Sequence, residues 1–280
     1  MKIALLPNLT RKKSMSVAKD VCRQLEQLGT EYYISEAQKE SFSDTKAVFL
    51  PTEEAVRCAD VIICVGGDGT IIHAAKYGKP VLGINAGRIA FMAGLEPTEL
   101  NMLDDLINGR YEIDRRMMLE AKIHNSNGEV VRTSHCINDV VVARGEQIKM
   151  EDISVEHNGR LLNTYTADGI IVSTPTGSTA YNLSAGGPVV DPQIESILLT
   201  PICTHSLFSR ALIFKPDSVF KISSTSADKL GLSCDGEKTV YIEKGGFVTV
   251  SRADVFGEFI RIKNDTFLEI LNSKLEQCRL

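Results

Sequence analysis

Short apolar runs alternate with helical patterns in the first part of the chain. Three runs of almost purely apolar residues are too short for helices and predict buried strands: residues 3–6, 61–65 and 81–84. The apolar positions of residues 16–28 fall on one stripe, which predicts a helix ended by Gly29, and residues 71–77 predict a shorter helix ended by Gly78. Strands without a polar face, separated by helices, indicate a mostly parallel sheet covered on both sides. Residues 1–115 are therefore predicted to form an α/β domain.

The pattern changes after Arg115, where half-buried strands and tight turns replace the helices. Hairpin turns are predicted at four dipeptides: Asn127-Gly128, Asn158-Gly159, Asp235-Gly236 and Gly245-Gly246. Strands are predicted around them at residues 120–124, 130–135, 139–143, 153–157 and 241–243. Residues 116–257 are therefore predicted to form an antiparallel β domain. The tail, about residues 258–280, is helical again from Thr266 and is expected to join the first domain.

Composition narrows the classes of protein that this chain can belong to. The 280 residues are 43% hydrophobic, enough for a full core, and the net charge of −5 argues against nucleic acid as a partner. Seven cysteines without a Cys-x-x-Cys pair argue against a disulfide framework or a zinc site and favour reduced thiols. We find no signal peptide and no apolar stretch of the ~20 residues that a membrane span needs. The sequence thus predicts a soluble cytoplasmic protein without a membrane partner.

The first candidate for chemistry is the loop Gly66-Gly67-Asp68-Gly69-Thr70, between a predicted buried strand and a helix. Open α/β sheets bind ligands at this edge, and glycines with unpaired N–H groups at a helix start attract phosphate. The loop is neither a P-loop nor the dinucleotide fingerprint, because the spacing differs from both. A carboxylate among phosphates is useful if it takes a proton from an attacking hydroxyl or faces a metal ion. The alternative is an ordinary turn in which Thr70 caps the helix.

The second candidate is the run from Asp168 to Tyr181, where an apolar strand enters a loop with five hydroxyl residues, a proline and a glycine. A helix is predicted to start near Ser178 and to stop at Gly186. Backbone N–H groups and hydroxyls in such a loop can hold a pyrophosphate or the edge of a base, and Tyr181 offers a ring face. The alternative is capping by Ser178 or Thr179, which needs only one hydroxyl.

The third candidate is Asn138-Asp139, which opens a short apolar run. An amide can bind an adenine edge, and a carboxylate can accept hydrogen bonds from ribose hydroxyls. Taken alone, this pair favours a turn.

At these residues the sequence resembles the NAD kinase family. The similarity covers most of the chain, at residues 66–70, 83–88, 138–139, 168–181, 184–190 and 201–207. The glycine loop alone also resembles lipid kinases and phosphofructokinases, whereas the segment 174–181 followed by Gly186-Gly187-Pro188 is typical of NAD kinases. Two competing functions remain: a lipid or sugar kinase with the same loop, and an NAD-binding sensor without activity. The polar segment 174–181 argues against an acyl groove, and Asp68 argues against a pure binder.

The resemblance implies phosphorylation of NAD on the 2′-hydroxyl of its adenosine ribose, giving NADP, with NAD in the cleft between the domains. It implies ATP or polyphosphate as donor, Mg²⁺ or another divalent metal without assigned protein ligands, and a homodimer or homotetramer. Asp68 would be the base, and Gly66 and Gly67 would bind phosphate. The residues implied to bind NAD are Gly69, Thr70, Asn138, Asp139, Asp168, Thr176, Thr179, Ala180 and Tyr181. Of these, Asn138 and Thr176 would face the adenine, and Asp139 would face the adenosine ribose. Asp168, Ala180 and Tyr181 would face the nicotinamide half, and the resemblance leaves open that Tyr181 comes from a neighbouring subunit.

Four positions depart from the family pattern. Asp139 stands where the family often has Glu, and Ala90 stands where Gly is usual. Thr204 and Ala211 replace usual prolines. Only the first change touches the expected ribose contact.

Overall fold

A computed structural model of the chain describes residues 1–10, 12–87, 90–145, 149–205, 210–224 and 229–277, with side chains through Ser273. The chain divides into two compact units. One comprises Met1–Arg115 with Gly257–Leu280, and the other comprises Arg116–Phe256.

The first unit is a parallel sheet with helices on both faces. The strands are β1 (Ile3–Pro7), β2 (Tyr32–Ser35), β3 (Val48–Leu50), β4 (Val61–Gly66) and β5 (Val81–Asn85). Their order in the sheet is β3-β2-β1-β4-β5, every neighbouring pair is parallel, and Phe259 extends the sheet beside Val81. The helices are α1 (Lys12–Gln27), α2 (Thr52–Cys58), α3 (Asp68–Ala75) and α4 (Leu103–Ile107), with 3₁₀ turns at Glu36–Phe42 and Pro97–Met102.

Apolar stripes place these helices. The α1 stripe of Val17, Val21 and Leu25 is buried in one core with the β1 and β4 strands. The opposite face of the sheet meets α3, because a Cβ added to Gly83 would lie 2.6 Å from the Ile71 side chain. The predicted strands and the covered parallel sheet are confirmed, whereas α1 begins four residues before the predicted start at Ser16.

The second unit is a sandwich of two antiparallel sheets around one apolar core. The first strands are β6 (Glu112–His124), β7 (Val130–Cys136), β8 (Asp139–Arg144), β9 (Glu151–His157), β10 (Arg160–Ala167) and β11 (Gly169–Ser173). A 3₁₀ turn (Thr176–Thr179) and the one-turn helix α5 (Tyr181–Ser184) follow. The remaining strands are β12 (Ile197–Ile202), β13 (Leu212–Phe214), β14 (Phe220–Ser224), β15 (Lys229–Cys234), β16 (Val240–Glu243) and β17 (Phe247–Arg261). One sheet has the order β10-β9-β14-β17 with β6 and β7 attached, and the other has the order β13-β12-β11-β8-β15-β16.

Two predicted hairpin turns show the expected backbone. Asn158 and Gly159 have φ of 49° and 76°, and Asp235 and Gly236 have φ of 51° and 70°. Positive φ at both central positions is the type I′ geometry, which matches the twist of the flanking strands. The fold class, an α/β unit and an antiparallel β unit, is thereby confirmed.

The chain ends in helix α6 (Phe267–Gln277), as the tail pattern predicts. Among the described residues, no helix is both long and apolar enough to cross a membrane. The six described cysteines are all thiols.

Candidate active site

The glycine loop lies at the carboxyl end of β4, where the strand passes directly into α3. A Cβ added to Gly66 would lie 2.4 Å from the Thr70 hydroxyl, so only glycine lets the helix start this close to the strand. The Thr70 hydroxyl does not cap the helix. Instead it accepts a hydrogen bond of 3.1 Å from the amide of Asn8, next to β1. By contrast, a Cβ added to Gly67 or Gly69 would meet nothing within 4 Å, so the outer side of the loop is open.

Asp68 is held by two backbone donors from a later loop. Its Oδ1 accepts a hydrogen bond of 2.8 Å from the N–H of Met92, and its Oδ2 accepts one of 3.0 Å from the N–H of Phe91. Both oxygens therefore have a fixed direction before any ligand arrives. Sequence reasoning missed this contact, because a backbone donor leaves no signature in residue type.

The loop that carries these donors is itself anchored at Asn85, the last residue of β5. The buried Asn85 amide donates hydrogen bonds of 3.0 and 3.1 Å to the Glu96 carboxylate, and its Oδ1 accepts one of 2.9 Å from the N–H of Gly87. Glu99 then accepts from the N–H of Glu96 at 2.8 Å and from the Lys263 ammonium at 3.0 Å. A chain of polar contacts thus fixes the loop that orients Asp68. Arg88, part of the family-like segment, lies outside the described residues.

The second unit brings four of the predicted site residues to one pocket of about 400 Å³. Its walls are Asn138, Asp139, Val141, Ala180, Tyr181, Ser233, Asp235 and Gly236. Asp139 opens β8 and Tyr181 opens α5, and the tyrosine side chain is 46% exposed. A carboxylate, an amide and a half-exposed aromatic ring around one cavity suit a nucleoside.

The end of β11 and the segment that follows it are held by hydrogen bonds to the backbone carbonyl of Asn138. The Asn138 carbonyl accepts hydrogen bonds from the N–H of Thr174 at 2.9 Å and from the Ser173 hydroxyl at 3.1 Å. A Cβ added to Gly177 would lie 2.1 Å from this carbonyl oxygen. The second and third candidates of the sequence are therefore parts of one structure, and Gly177 is required where they touch.

The hydroxyl groups of this segment mostly bind the protein's own backbone. Ser178 bonds the carbonyl and the N–H of Val190 at 3.2 and 3.0 Å. The Thr179 hydroxyl donates to the Thr176 carbonyl at 3.4 Å, and the Thr176 hydroxyl accepts from Arg116 at 3.3 Å. Neither Thr176 nor Thr179 lines the pocket. Their expected contacts with NAD remain predictions.

Buried Asn182 holds the segment after α5. Its amide donates to the carbonyls of Ser178 and Pro188 at 3.1 and 3.0 Å, and its Oδ1 accepts from the Thr200 hydroxyl at 2.6 Å. A Cβ added to Gly187 would lie 2.1 Å from the same Oδ1. The family-like Gly-Gly-Pro segment therefore supports the helix that carries Tyr181.

Asp139 is the buried carboxylate of the pocket, with 4% of its surface exposed. Burial, followed by the nearby negative charge of Asp235, raises the pKa of Asp139 to about 7. Both causes act in the same direction, because an ionised carboxylate is poorly solvated there and faces a like charge.

Asp168 lies apart from the pocket within this chain. It precedes β11, whose first residue Gly169 pairs with Ala143 and whose last residue Ser173 pairs with Asp139. Asp168 and Ser173 are therefore five residues apart along an extended strand, or about 17 Å at the usual rise per residue. The Asp168 carboxylate forms an ion pair of 3.0 Å with the guanidinium of Arg144. Ser206 and Leu207, which belong to another family-like segment, lie outside the described residues.

An α/β unit with a fixed aspartate at the end of a central strand and a β unit with a nucleoside-sized pocket are the features of a kinase that acts on a nucleotide. Two family models match the chain: the ATP-NAD kinase N-terminal domain over residues 3–111 and the ATP-NAD kinase C-terminal domain over residues 137–262. The chain belongs to the ATP-NAD kinase family, as its sequence motifs predict.

Curated relatives and solved structures agree with this family. The chain is 35% identical to the NAD kinase of Caldanaerobacter subterraneus subsp. tengcongensis, over 99% of both chains. It is also 35% identical to the NAD kinase of Moorella thermoacetica, over 99% of this chain and 89% of that one. The crystal structure of yeast NADH kinase complexed with NADH superposes with a TM-score of 0.92, 24% identity and coverage of 99% and 87%. The crystal structure of an NAD kinase from Archaeoglobus fulgidus in complex with ATP superposes with a TM-score of 0.77, at 24% sequence identity and over 99% of both chains. At 24% identity these two structures support the fold alone.

Proposed function

We propose that this chain is an NAD kinase, which transfers the γ-phosphoryl group of ATP to the 2′-hydroxyl of the adenosine ribose of NAD. The family and the full-length similarity to NAD kinases support the reaction. The observation that carries it at the level of atoms is the Asp68 carboxylate. It is held by two backbone N–H groups beside a loop whose outer side is open.

Asp68 acts as the base in this proposal. The ribose 2′-hydroxyl gives its proton to Asp68, its oxygen bonds to the γ-phosphorus, and the bond from that phosphorus to the bridging oxygen breaks to release ADP. A positioned base contributes ~10²–10⁴ in rate, and positioning with charge stabilisation supplies most of the rest in phosphoryl transfer. Gly66 and Gly67 are the proposed phosphate neighbours, with Gly69 and Thr70 completing the loop.

The pocket of the second unit is the proposed site for the nucleoside of NAD. Asn138 and Asp139 stand on one wall with an amide and a carboxylate, and Tyr181 and Ala180 stand on another. Asp139 would accept hydrogen bonds from ribose hydroxyls, and the Tyr181 ring would stack on a base. Asp168 and Thr176 keep their predicted roles at the nicotinamide half and the adenine as proposals.

A divalent metal such as Mg²⁺ fits this site as a partner of the donor's phosphates. In the part of the chain that the structure describes, no group of three or more His, Cys, Asp or Glu side chains is placed to hold a metal. Mg²⁺ in kinases is usually held by substrate phosphates and water with only one or two carboxylates, so such a group is not required here. When bound, the metal would neutralise charge on the transferred phosphoryl group.

The direct test is to incubate the purified full chain with Mg²⁺, ATP and NAD and to measure NADP. Asp68→Asn is the matched variant, and it should lower the turnover at least ~100-fold because the base is lost. Calorimetry should still detect NAD binding to it. Absence of NADP from the parent protein would reject the kinase, and turnover of Asp68→Asn within tenfold of the parent would reject Asp68 as the base. A parallel reaction with polyphosphate in place of ATP decides the donor.

The location and assembly of the enzyme are part of the same proposal. The thiol state of the six described cysteines fits the reducing cytoplasm. A homodimer or homotetramer is expected from the family, and light scattering on a sizing column would measure it.

A further inference from the structure

A second carboxylate, Asp235, stands beside Asp139 at the turn between β15 and β16. We propose that Asp235 is a positioning residue for NAD: it fixes the backbone of Asn138 and Asp139, and it places a second negative charge beside the Asp139 carboxylate that binds the ribose. This inference rests on the proposed role of Asp139. From the sequence alone, Asp235 is predicted only as part of a hairpin turn.

The Asp235 carboxylate accepts three backbone hydrogen bonds from the residues at the start of β8. Its Oδ1 accepts hydrogen bonds from the N–H of Asn138 at 2.7 Å and of Asp139 at 3.2 Å, and its Oδ2 accepts one from the N–H of Ile137 at 2.9 Å. In return, the Asp235 N–H donates to the Asp139 carbonyl at 3.0 Å. Four hydrogen bonds thus tie the turn to the residues that face the pocket. Hydrogen bonds to a charged acceptor contribute more than neutral ones.

The turn geometry restricts which residue can do this. Position 235 has φ of 51°, a left-handed backbone that Asp and Asn tolerate better than other side chains. A glutamate would be one methylene longer and a poor fit to this turn. An asparagine keeps the shape of the side chain, but its NH₂ group takes the place of one carboxylate oxygen. That NH₂ group then faces a backbone N–H, and two donors cannot form a hydrogen bond. Only aspartate offers two acceptors at this position.

The charge of Asp235 also acts on Asp139. The groups around Asp139 are the Asp235 carboxylate on the turn, the Ser233 hydroxyl on β15, the Ser173 hydroxyl on β11 and the Tyr181 phenol on α5. The described residues that line the pocket include no lysine, arginine or histidine. Burial and the Asp235 charge together raise the pKa of Asp139 to about 7. An ionised Asp139 accepts hydrogen bonds from ribose hydroxyls, so NAD should bind less well as the pH falls through this value.

The test is the pH profile of KM and kcat for NAD between pH 6 and 8.5 in four proteins. In the parent, KM should rise up to about tenfold per pH unit below pH 7, as expected for one required ionisation. Asp235→Asn should raise KM several-fold at pH 8 and should move the rise of KM to lower pH, with a smaller change in kcat. Asp139→Asn should have a high KM that does not vary with pH. Glu243→Gln removes an exposed carboxylate on β16 that pairs with Lys229, and it should match the parent.

The outcomes separate this inference from the proposed function. If Asp139→Asn has the KM of the parent, the ribose contact of Asp139 is wrong and the role of Asp235 falls with it. If Asp139→Asn behaves as expected but Asp235→Asn keeps the parent's KM and pH midpoint, the role of Asp235 alone is overturned. Should Asp235→Asn fail to fold, calorimetry of NAD binding to the parent in buffers of different ionisation enthalpy decides. About half a proton should be released per NAD at pH 7, and no release would overturn the inference.

Discussion

Replacing Asp139 by Asn should stabilise the protein, and more so at higher pH. The change keeps the shape of the side chain and removes a buried charge. The pKa of Asp139 is raised from 3.8 to about 7, mainly by burial and then by Asp235. The folded state therefore keeps this proton over a range in which the unfolded chain has lost it. Stability from this group is greatest at low pH, declines as the pH rises from about 4 to 7, and stays low above 7.

The size of the effect follows from the pKa difference. Each pH unit between the two pKa values corresponds to about 1.4 kcal/mol, so the carboxylate costs the folded state on the order of 4–5 kcal/mol at pH 8. At pH 5 the cost is about a third of that value. A change of 1 kcal/mol moves the melting temperature of a chain this large by about 2–4 °C. Asp139→Asn should therefore melt roughly 8–20 °C above the parent at pH 8 and a few degrees above it at pH 5.

The assay is calorimetric melting of both proteins without NAD at pH 5, 6, 7 and 8. Asp217→Asn, which removes an exposed aspartate of the same unit, is the control and should follow the parent throughout. An equal difference between Asp139→Asn and the parent at every pH would refute the raised pKa. A variant that melts below the parent at pH 8 would show that the carboxylate makes stabilising contacts that outweigh its burial.

Kinetic measurements on two Asp139 variants distinguish a residue that binds the ribose from a residue that only forms a turn. Asp139→Asn should raise the KM for NAD at least several-fold at pH 8, because bonds to a charged acceptor contribute ~1.5–3 kcal/mol. Asp139→Glu keeps the charge and should be nearly neutral. A turn residue would give the opposite order, with Asn silent and Glu destabilising.

Three further changes test the supports of the two loops. Tyr181→Ala should weaken NAD binding about tenfold or more in calorimetry, since stacking on a base contributes ~1–3 kcal/mol, and should barely change the melting temperature; unchanged affinity would leave the ring a structural role only. Gly177→Ala should lower the melting temperature by several degrees and weaken NAD binding, because its methyl would lie 2.1 Å from the Asn138 oxygen, whereas Gly69→Ala, with nothing within 4 Å, should melt as the parent does. Asn85→Ala should lower kcat at least tenfold with little change in the KM for NAD, because it frees the loop that orients Asp68; equal loss in both constants would contradict this.

The sequence predicted the strands of the first unit better than its helix ends. Strands β1, β4 and β5 are apolar on both faces, which is the pattern of strands buried in a parallel sheet. Helix α1 begins at Lys12, before the predicted Ser16, because its first three residues, Lys12, Lys13 and Ser14, are polar and add nothing to the apolar stripe. Helix α3 begins at Asp68 and not at Ile71, because its first turn contains the glycine loop. The periodicity of apolar residues thus predicts where a helix lies, but it misses a first turn that contributes no apolar residues to the buried stripe.

The site was predictable where a side chain carries the chemistry and not where the backbone does. Asp68 and Tyr181 stand out by residue type in unusual surroundings, whereas Asp139 taken alone favours a turn and became a candidate through the family resemblance. The Phe91 and Met92 donors to Asp68 do not stand out, because any residue supplies an N–H. Asp235 lies 96 residues from Asp139 along the chain and is marked only by its hairpin turn. Contacts of this kind become visible only when the sheet brings β8 and β15 together.

Asp68 and Asp139 have opposite environments, and this predicts opposite responses to the same substitution. Asp68 is partly exposed, and each of its oxygens accepts a backbone hydrogen bond, so asparagine would lose an acceptor and place N–H against N–H. Asp139 is buried beside another carboxylate, so asparagine would remove an unfavourable charge. Asp68→Asn should therefore lower the melting temperature and turnover together, whereas Asp139→Asn should raise the melting temperature and weaken NAD binding. A carboxylate kept at a position where it destabilises the fold is best explained by the ligand that it binds. If both variants were destabilised to the same degree, the two aspartates would share a structural role and this distinction would be wrong.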